Sequence, residues 1–203
     1  MGMRSRNTDR CPRCRLPVGL CVCAETPRLD LCTRVLVVMH WCETGKPTAT
    51  GPLALNCLSN GALAEHGRPG TLLDLRELAA DPERRALLLF PSSDAEPLTA
   101  GLVAADDRPV TLVVPDGSWR QAARMAARVP GLAQLPRVRL PDGPPSAWGI
   151  RHEAHPHQVC TFEAIARALG VLESPAVQAV LEVFFALAAA RARQARPAHA
   201  RDG

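Results

Sequence analysis

Four cysteines near the N-terminus have spacings typical of a metal site. They lie in the run CPRCRLPVGLCVC, with two, six and one residues between them: Cys11, Cys14, Cys21 and Cys23. Four thiolates bind Zn²⁺ as a closed tetrahedral site, and a Cys-x-x-Cys pair lets one turn provide two ligands. Without a secretion signal, such a cluster favours zinc over disulfides. The alternative is four reduced thiols in a loosely ordered arm.

Residues 111–125, TLVVPDGSWRQAARM, carry a second chemically active group. They predict a buried strand, a Pro-Asp-Gly turn and a helix, and ligands of open α/β sheets bind beyond the carboxyl ends of strands. Asp116 is a candidate base, the helix N-terminus at Ser118 offers N–H groups to an anion, and Trp119 can stack on a planar ring. The alternative is structural: Asp116 and Ser118 cap the helix, and Trp119 fills the core.

The surrounding elements must position these side chains. Apolar runs without alternation predict strands buried on both faces of a parallel sheet, at 34–40, 71–74, 86–90, 110–114 and 136–140. Helical periodicity marks 51–64, 119–129, 162–172 and 175–193. Ser118 with Gln121 predicts a capping box, and Thr161 and Ser174 predict N-caps. Alternating strands and helices predict an α/β sandwich.

Composition narrows the class of protein. The 203 residues are 47% hydrophobic and 22% charged, which excludes a wholly disordered or fibrous chain. No uninterrupted apolar run approaches the ~20 residues that cross a bilayer, and no apolar segment follows the charged N-terminus. We therefore expect a soluble, cytoplasmic protein with no membrane partner.

The charge distribution divides the chain into three parts. Residues 1–23 carry five Arg and one Asp, and residues 191–203 carry four Arg and one Asp, on a slightly acidic body. Basic ends suit a partner with phosphates, although an arginine-rich composition can also reflect a GC-rich genome. We expect a zinc-knuckle segment at 1–30, an α/β domain at 31–190, and a basic tail at 191–203 that is disordered at its end.

PDGSWRQAARM resembles the signature of the DTW-domain family, an Asp-x-Thr/Ser-Trp followed by Gln/Ala and a basic helix. Four other blocks resemble that family in the expected order, so the likeness covers about residues 11–172: VLVVMHWCETGKPTATGPLALNCLSN, LLLFPSSDA, QLPRVRL and SAWGIRHEAHPHQVCTFEAIARAL. The departures are Ser118 for Thr, Trp41 for Pro, Trp148 for Tyr, and Val159-Cys160 for Leu-Ser.

This resemblance implies a tRNA-uridine aminocarboxypropyltransferase. Such enzymes transfer the 3-amino-3-carboxypropyl group of S-adenosylmethionine to N3 of a tRNA uridine and release 5′-methylthioadenosine. The implied fold is a SPOUT-like parallel-sheet sandwich, expected to be knotted, with the cofactor among loops at the carboxyl ends of the strands. The four-cysteine zinc knuckle also belongs to the pattern.

The chemistry of this transfer allows hypotheses about single residues. Asp116, with Ser118 and Trp119, forms the expected catalytic group, and Asp116 must come within about 2.6–3.2 Å of N3 to act as its base. The expected cofactor contacts are Phe90, Pro91, Pro115, Gly117, Thr161 and Glu163. Glu163 is also the alternative carboxylate, with a structural role favoured. N–H groups near Ser118 or Thr161 are expected to hold the carboxylate of the transferred group.

The tRNA is expected to contact arginines, whose phosphate contacts make affinity fall steeply with salt. Arg120, Arg124 and Arg128 recur every four residues along one helix face, and further candidates follow: Arg137, Arg139 and Arg151. We interpret His40 and Glu43 as loop-ordering residues, Thr48, Thr50 and Gly51 as part of a cofactor-side loop, and His152, His155 and His157 as surface residues.

Two other functions remain open from the sequence. One is an ordinary S-adenosylmethionine-dependent RNA methyltransferase on a similar SPOUT-like fold. The other is a non-enzymatic, zinc-containing RNA-binding adaptor, which would need no ligand crevice beside Asp116. The sequence leaves the oligomeric state open.

Overall fold

A parallel β-sheet forms the centre of the structure, a computed structural model that describes residues 9–146, 148 and 159–195. In these residues the sheet has six strands: β1 (Arg34–His40), β2 (Ala62–His66), β3 (Arg85–Leu89), β4 (Glu96–Pro97), β5 (Val110–Asp116) and β6 (Arg137–Arg139). Their order is β2-β1-β5-β3-β6-β4, and every pairing is parallel. Since all the carboxyl ends meet at one edge, the loops that follow the strands gather there.

Helices connect the strands along the chain. They are α1 (Gly51–Leu55), α2 (Arg76–Ala80), α3 (Ala100–Ala104), α4 (Trp119–Arg128), α5 (Thr161–Leu172) and α6 (Pro175–Gln194). The capping box of Ser118 and Gln121 and the N-cap at Ser174 are confirmed. Thr161 is the first residue of α5 and not its N-cap, because Cys160 holds the cap position.

Core residues cover both faces of the sheet. In β1, Val35, Val37 and Met39 belong to a core cluster shared with α1, α5 and α6. Leu36 and Val38 belong to a second cluster, which α4 completes on the opposite face. This two-sided burial is the reason that the strand sequences lack polar alternation, and it confirms the predicted α/β class with a parallel sheet.

Two of the predicted helices and strands are wrong. The helix predicted over 51–64 stops at Leu55, and residues 62–66 form β2. There the Asn60–Gly61 turn redirects the chain, because the Asn60 side-chain amide donates to the carbonyls of Leu31 and Thr33. The predicted strand 71–74 forms no strand, because β2 already occupies that side of β1 and Leu72 is 80% exposed.

The long helix α6 packs through one side into the first core cluster. Phe162 of α5 stacks on Phe185 of α6, with ring centroids 4.5 Å apart. By length and composition alone α6 could also cross a membrane, a test that core helices of soluble proteins pass as well. The expectation of no membrane partner therefore stays a prediction.

The N-terminal segment shares the main core. Leu16 and Val22 are buried in the cluster that contains α5 and α6. Leu29 forms a parallel bridge with Leu58, and the Asn56 amide donates to the Arg13 carbonyl. The division at residue 30 stays a prediction, but the cysteine-containing segment is packed onto the sheet domain.

Candidate active site

A cavity of about 490 Å³ opens at the carboxyl edge of the sheet. The ends of β3, β5 and β6, the loop after β6, and the first turns of α5 line it. Ligands of parallel α/β sheets bind at this edge, and small-molecule sites typically measure about 300–1,000 Å³. Both the position and the size are those of a small-molecule site.

Eight of the nine residues predicted for catalysis or cofactor binding meet at this cavity. The lining includes the three expected catalytic residues and five of the six expected cofactor contacts: Asp116, Ser118, Trp119, Phe90, Pro91, Pro115, Gly117 and Thr161. Glu163 does not line it. Instead its buried carboxylate accepts hydrogen bonds from the Cys160 N–H, at 3.0 Å, and from the Ser146 hydroxyl. Glu163 therefore holds the start of α5.

Asp116 joins three elements beneath the cavity. Its side chain is at the end of β5 and only 3% of the residue is exposed. The Thr161 hydroxyl, in the first turn of α5, donates to Asp116 Oδ1 at 2.8 Å. Gly51 at the start of α1 approaches so closely that a Cβ there would lie 2.5 Å from Asp116 Oδ2. The carboxylate is thus held in one orientation beside the cavity.

Trp119 forms part of the cavity wall and does not fill the core. The residue is 44% exposed, and its ring centroid lies 6.2 Å from that of Phe90, with the ring planes tilted by 47°. Phe90 follows β3 and Trp119 begins α4 shortly after β5, so the two aromatic rings lie beyond the carboxyl ends of these neighbouring strands. An exposed aromatic pair at a cavity offers a surface for a planar ligand.

Three backbone N–H groups at the helix starts beside the cavity are engaged within the protein. The Ser118 N–H donates to Gln121 Oε1 at 2.7 Å. At the start of α5, the Cys160 N–H donates to Glu163 and the Phe162 N–H donates to Thr50 Oγ1 at 3.2 Å. The capping box therefore removes the Ser118 N–H from the expected anion-binding groups, and the prediction that N–H groups near Ser118 or Thr161 hold a ligand carboxylate stays a prediction.

His40 contacts the turn before α4, in agreement with its interpretation as a loop-ordering residue. Gln121 Oε1 accepts from Ser118, so the amide nitrogen of Gln121 faces His40 Nδ1, 3.1 Å away, and donates to it. The Cys42 N–H donates to the same Nδ1 at 3.3 Å. Because Nδ1 accepts twice, the ring proton is on Nε2. Burial, and then the neighbouring His40, lower the pKa of His66 across the β1–β2 pair.

The predicted arginines have different environments. Arg120, Arg124 and Arg128 are exposed along α4, whereas Arg137 pairs with Asp94 at 3.3 Å. Arg139 lines the cavity together with Arg167 of α5, which the sequence analysis missed. Its signal was the recurrence of Thr161, Ala164 and Arg167 every three residues along α5. The remaining predicted positions lie outside the described residues: Arg151, His152, His155 and His157.

The four N-terminal cysteines converge on one point. All four sulfurs lie within 4.8 Å of one another, and Cys11–Cys23 and Cys14–Cys21 are each 3.6 Å apart. A tetrahedral ion with bonds of about 2.3 Å to sulfur separates its ligands by about 3.8 Å. The Cys14 N–H lowers the pKa of the Cys11 thiol to about 6. The cluster thus has the ligand set and the dimensions to hold a metal ion.

Together these features define a parallel α/β protein with a ligand cavity at the carboxyl edge of its sheet and a four-cysteine cluster packed on its core. Residues 8–193 match the DTW domain. The chain therefore belongs to the DTW domain family.

Three curated relatives share the name tRNA-uridine aminocarboxypropyltransferase 2. The Drosophila melanogaster protein is 29% identical over 82% of this chain and 67% of its own length. The Macaca fascicularis protein is 26% identical over 83% and 58%, and the Mus musculus protein 27% over 80% and 56%. The chain thus spans between about half and two thirds of these relatives.

A solved structure, the SAM-dependent rRNA:acp-transferase Tsr3 from Vulcanisaeta distributa, is also similar. It is 20% identical, with 74% of this chain and 72% of that chain covered, and the TM-score is 0.48.

Proposed function

We propose that this protein transfers the 3-amino-3-carboxypropyl group of S-adenosylmethionine to N3 of a tRNA uridine. A bond forms between N3 and the terminal side-chain carbon of that group. The bond between this carbon and the sulfonium breaks, 5′-methylthioadenosine leaves, and the N3 proton passes to a base. The proposal rests on one observation above all: the DTW signature residues Asp116, Ser118 and Trp119 line the cavity of a chain in the DTW domain family.

The cavity suits S-adenosylmethionine in size and chemistry. Its volume of about 490 Å³ is within the usual range for small ligands. The tilted pair of Phe90 and Trp119 provides a stacking surface for the adenine. S-adenosylmethionine supplies an electrophilic carbon, and the protein selects which of the three carbons on sulfur reacts by orienting it toward the nucleophile.

Asp116 is the proposed base for the N3 proton. It is the buried carboxylate of the cavity lining, and Thr161 and Gly51 hold it in place. A buried carboxylate in a fixed orientation can accept a proton directly or through one water.

The exposed face of α4 is proposed to bind the tRNA backbone. Arg120 and Arg128 are eight residues apart, so the row extends about 12 Å from the N-terminal end of α4, where Trp119 lines the cavity. Phosphates bound along this row would bring an unstacked loop uridine to the cavity mouth.

Zinc is the proposed occupant of the cysteine cluster, where it would fix the N-terminal segment by joining four ligands. The all-parallel sheet with its ligand cavity at the carboxyl edge supports the expected relation to SPOUT-like folds.

The test is incubation of the purified protein with unmodified tRNA and S-adenosylmethionine, followed by mass spectrometry of the nucleosides and the small-molecule products. We expect uridine to gain the aminocarboxypropyl group and 5′-methylthioadenosine to appear in equal amount. Asp116→Asn, with its fold checked by circular dichroism, should slow the single-turnover rate by about 10²-fold or more.

Two results would replace the proposal by its rivals. Release of S-adenosylhomocysteine would identify a methyltransferase. Tight tRNA binding with no binding of S-adenosylmethionine would identify an adaptor.

A further inference from the structure

One side of the cavity is lined by charged residues other than the proposed catalytic residues Asp116, Ser118 and Trp119. Arg139 ends β6, Asp142 lies in the loop that follows, and Arg167 faces them from α5; all three line the cavity. Among the described residues of the lining, the two arginines are the cations. Phe90 and Trp119 form the aromatic wall on the side of β3 and β5.

Arg139 and Asp142 are open to a ligand. Both are exposed, and neither makes a side-chain hydrogen bond or an ion pair within the part of the chain that the structure describes. Arg167 is held more firmly, since its Nη2 donates to the Pro144 carbonyl at 2.7 Å. Arg167 thus also fixes the loop that carries Asp142.

Three backbone N–H groups beside this cavity are unavailable to a ligand carboxylate, whereas the side chain of Arg139 is open to it. The N–H groups of Ser118, Cys160 and Phe162 are taken by Gln121, Glu163 and Thr50. Guanidinium groups bind carboxylates through paired, charge-assisted hydrogen bonds. A cation and an anion near each other match a zwitterionic amino-acid group, which carries both charges on one carbon.

We propose that Arg139 and Asp142 bind the amino-acid end of S-adenosylmethionine, with Arg139 on its carboxylate and Asp142 on its ammonium group, and with Arg167 supporting the carboxylate side. This assignment rests on the proposed function and names the residues that recognise the group to be transferred. With the adenosine on the aromatic wall and the amino-acid end at β6, the ligand is fixed at both ends, and the chain carbon lies between them for attack.

The experiment compares two ligands that differ by this group. Calorimetry measures binding of S-adenosylmethionine and of 5′-methylthioadenosine, which lacks the amino-acid end, to the full-length protein and its variants. Arg139→Gln should weaken S-adenosylmethionine binding about ten- to a hundredfold, the usual effect of losing a hydrogen bond to a charged group, and leave 5′-methylthioadenosine binding unchanged. Asp142→Asn should act in the same direction, and Arg139→Lys should restore part of the affinity. Arg34→Gln, exposed at the opposite edge of the sheet where β1 begins, is the control and should alter neither ligand.

Three other outcomes would overturn the assignment, and each would have a different meaning. If Arg139→Gln and Asp142→Asn weaken the binding of both ligands equally, or weaken the binding of neither, then Arg139 and Asp142 do not recognise the amino-acid end. Loss of tRNA affinity alone in Arg139→Gln makes this arginine a phosphate contact. Absence of binding of both ligands to the unmodified protein contradicts the proposed function itself.

Discussion

The hydroxyl of Thr161 donates a 2.8 Å hydrogen bond to Oδ1 of Asp116, and the two residues are 45 positions apart in the chain. This bond connects the end of β5 to the start of α5 across the floor of the cavity. It fixes a candidate catalytic carboxylate and also anchors a helix, so the site and the fold depend on the same contact.

Thr161→Val should therefore reduce stability as well as activity. The change keeps the shape of the side chain but leaves a buried carboxylate oxygen without this donor, which costs about 1–3 kcal/mol. Urea unfolding monitored by circular dichroism measures the loss. Thr71→Val, at an exposed position, is the matched control and should stay within about 0.5 kcal/mol of the unmodified protein. Equal stability of both variants would contradict the anchoring role.

Gly51→Ala should displace Asp116. The added Cβ would lie 2.5 Å from Asp116 Oδ2, well inside van der Waals contact, so the carboxylate or α1 must move. We expect lower stability and a slower single-turnover rate. Gly101→Ala in α3 is the control, because its Cβ meets open space apart from Thr99 Oγ1 at 3.8 Å, and it should stabilise by about 0.4–1 kcal/mol. Full activity in Gly51→Ala would show that the position of Asp116 is unimportant.

One zinc ion per chain should co-purify with the protein, as measured by elemental mass spectrometry. The four-thiolate site exists in the folded protein and not in the unfolded chain, so the free energy of metal binding adds to the free energy of folding. A chelator should therefore lower Tm by roughly 10 °C or more. Cys14→Ser should lose the metal, and Cys32→Ser, an exposed cysteine outside the cluster, should keep it. Metal content that is the same in both variants would exclude the cluster as the site.

His66 should make stability depend on pH. Its pKa is lowered from the ordinary 6.5, first by burial and then by His40, so the folded protein favours the neutral ring. The unfolded chain then binds more protons, and stability falls as pH decreases from 6.5 through the lowered pKa. His66→Gln should flatten this part of the profile, measured by urea unfolding between pH 7.5 and pH 5. An unchanged profile would assign the pH dependence to other groups.

The arginines of α4 should set the salt dependence of tRNA binding. Each phosphate contact contributes about 0.7–0.9 to the slope of log affinity against log salt. Replacing Arg120, Arg124 and Arg128 by Gln should lower that slope by about two units, measured by fluorescence anisotropy. Arg34→Gln is the control, because Arg34 is exposed at the opposite edge of the sheet, where β1 begins. If Arg34→Gln lowered the slope as much as the α4 replacements do, α4 would be excluded as the binding face.

Local signals allowed part of the fold to be predicted. β1 has the predicted bounds because its five central residues, 35–39, are apolar on both faces, and α4 begins where Ser118 and Gln121 form their capping box. Residues 62–66 were missed because Ala-Leu-Ala-Glu-His favours a helix by composition. Only the turn at Asn60 and the pairing with β1 make this segment a strand.

The part of the candidate site that lies within one segment of the chain was predicted. The part that the fold assembles from distant segments was missed. Asp116 to Trp119 lie together in the chain, so their place beyond β5 followed from the order of strand, turn and helix. Arg167 and Arg139 reach the same cavity from α5 and β6, and no local pattern relates them. The engaged N–H of Ser118 also required the structure, because the sequence shows a cap but not which donors remain for a ligand.

The helices beside the cavity satisfy their own first peptide groups, Ser118 with Gln121 and Cys160 with Glu163. These two N–H groups are thereby withdrawn from ligand binding, and the charges of the cavity wall are carried by side chains such as Arg139, which single mutations can exchange without rebuilding the main chain. The charge of such a pocket can change while its scaffold remains intact.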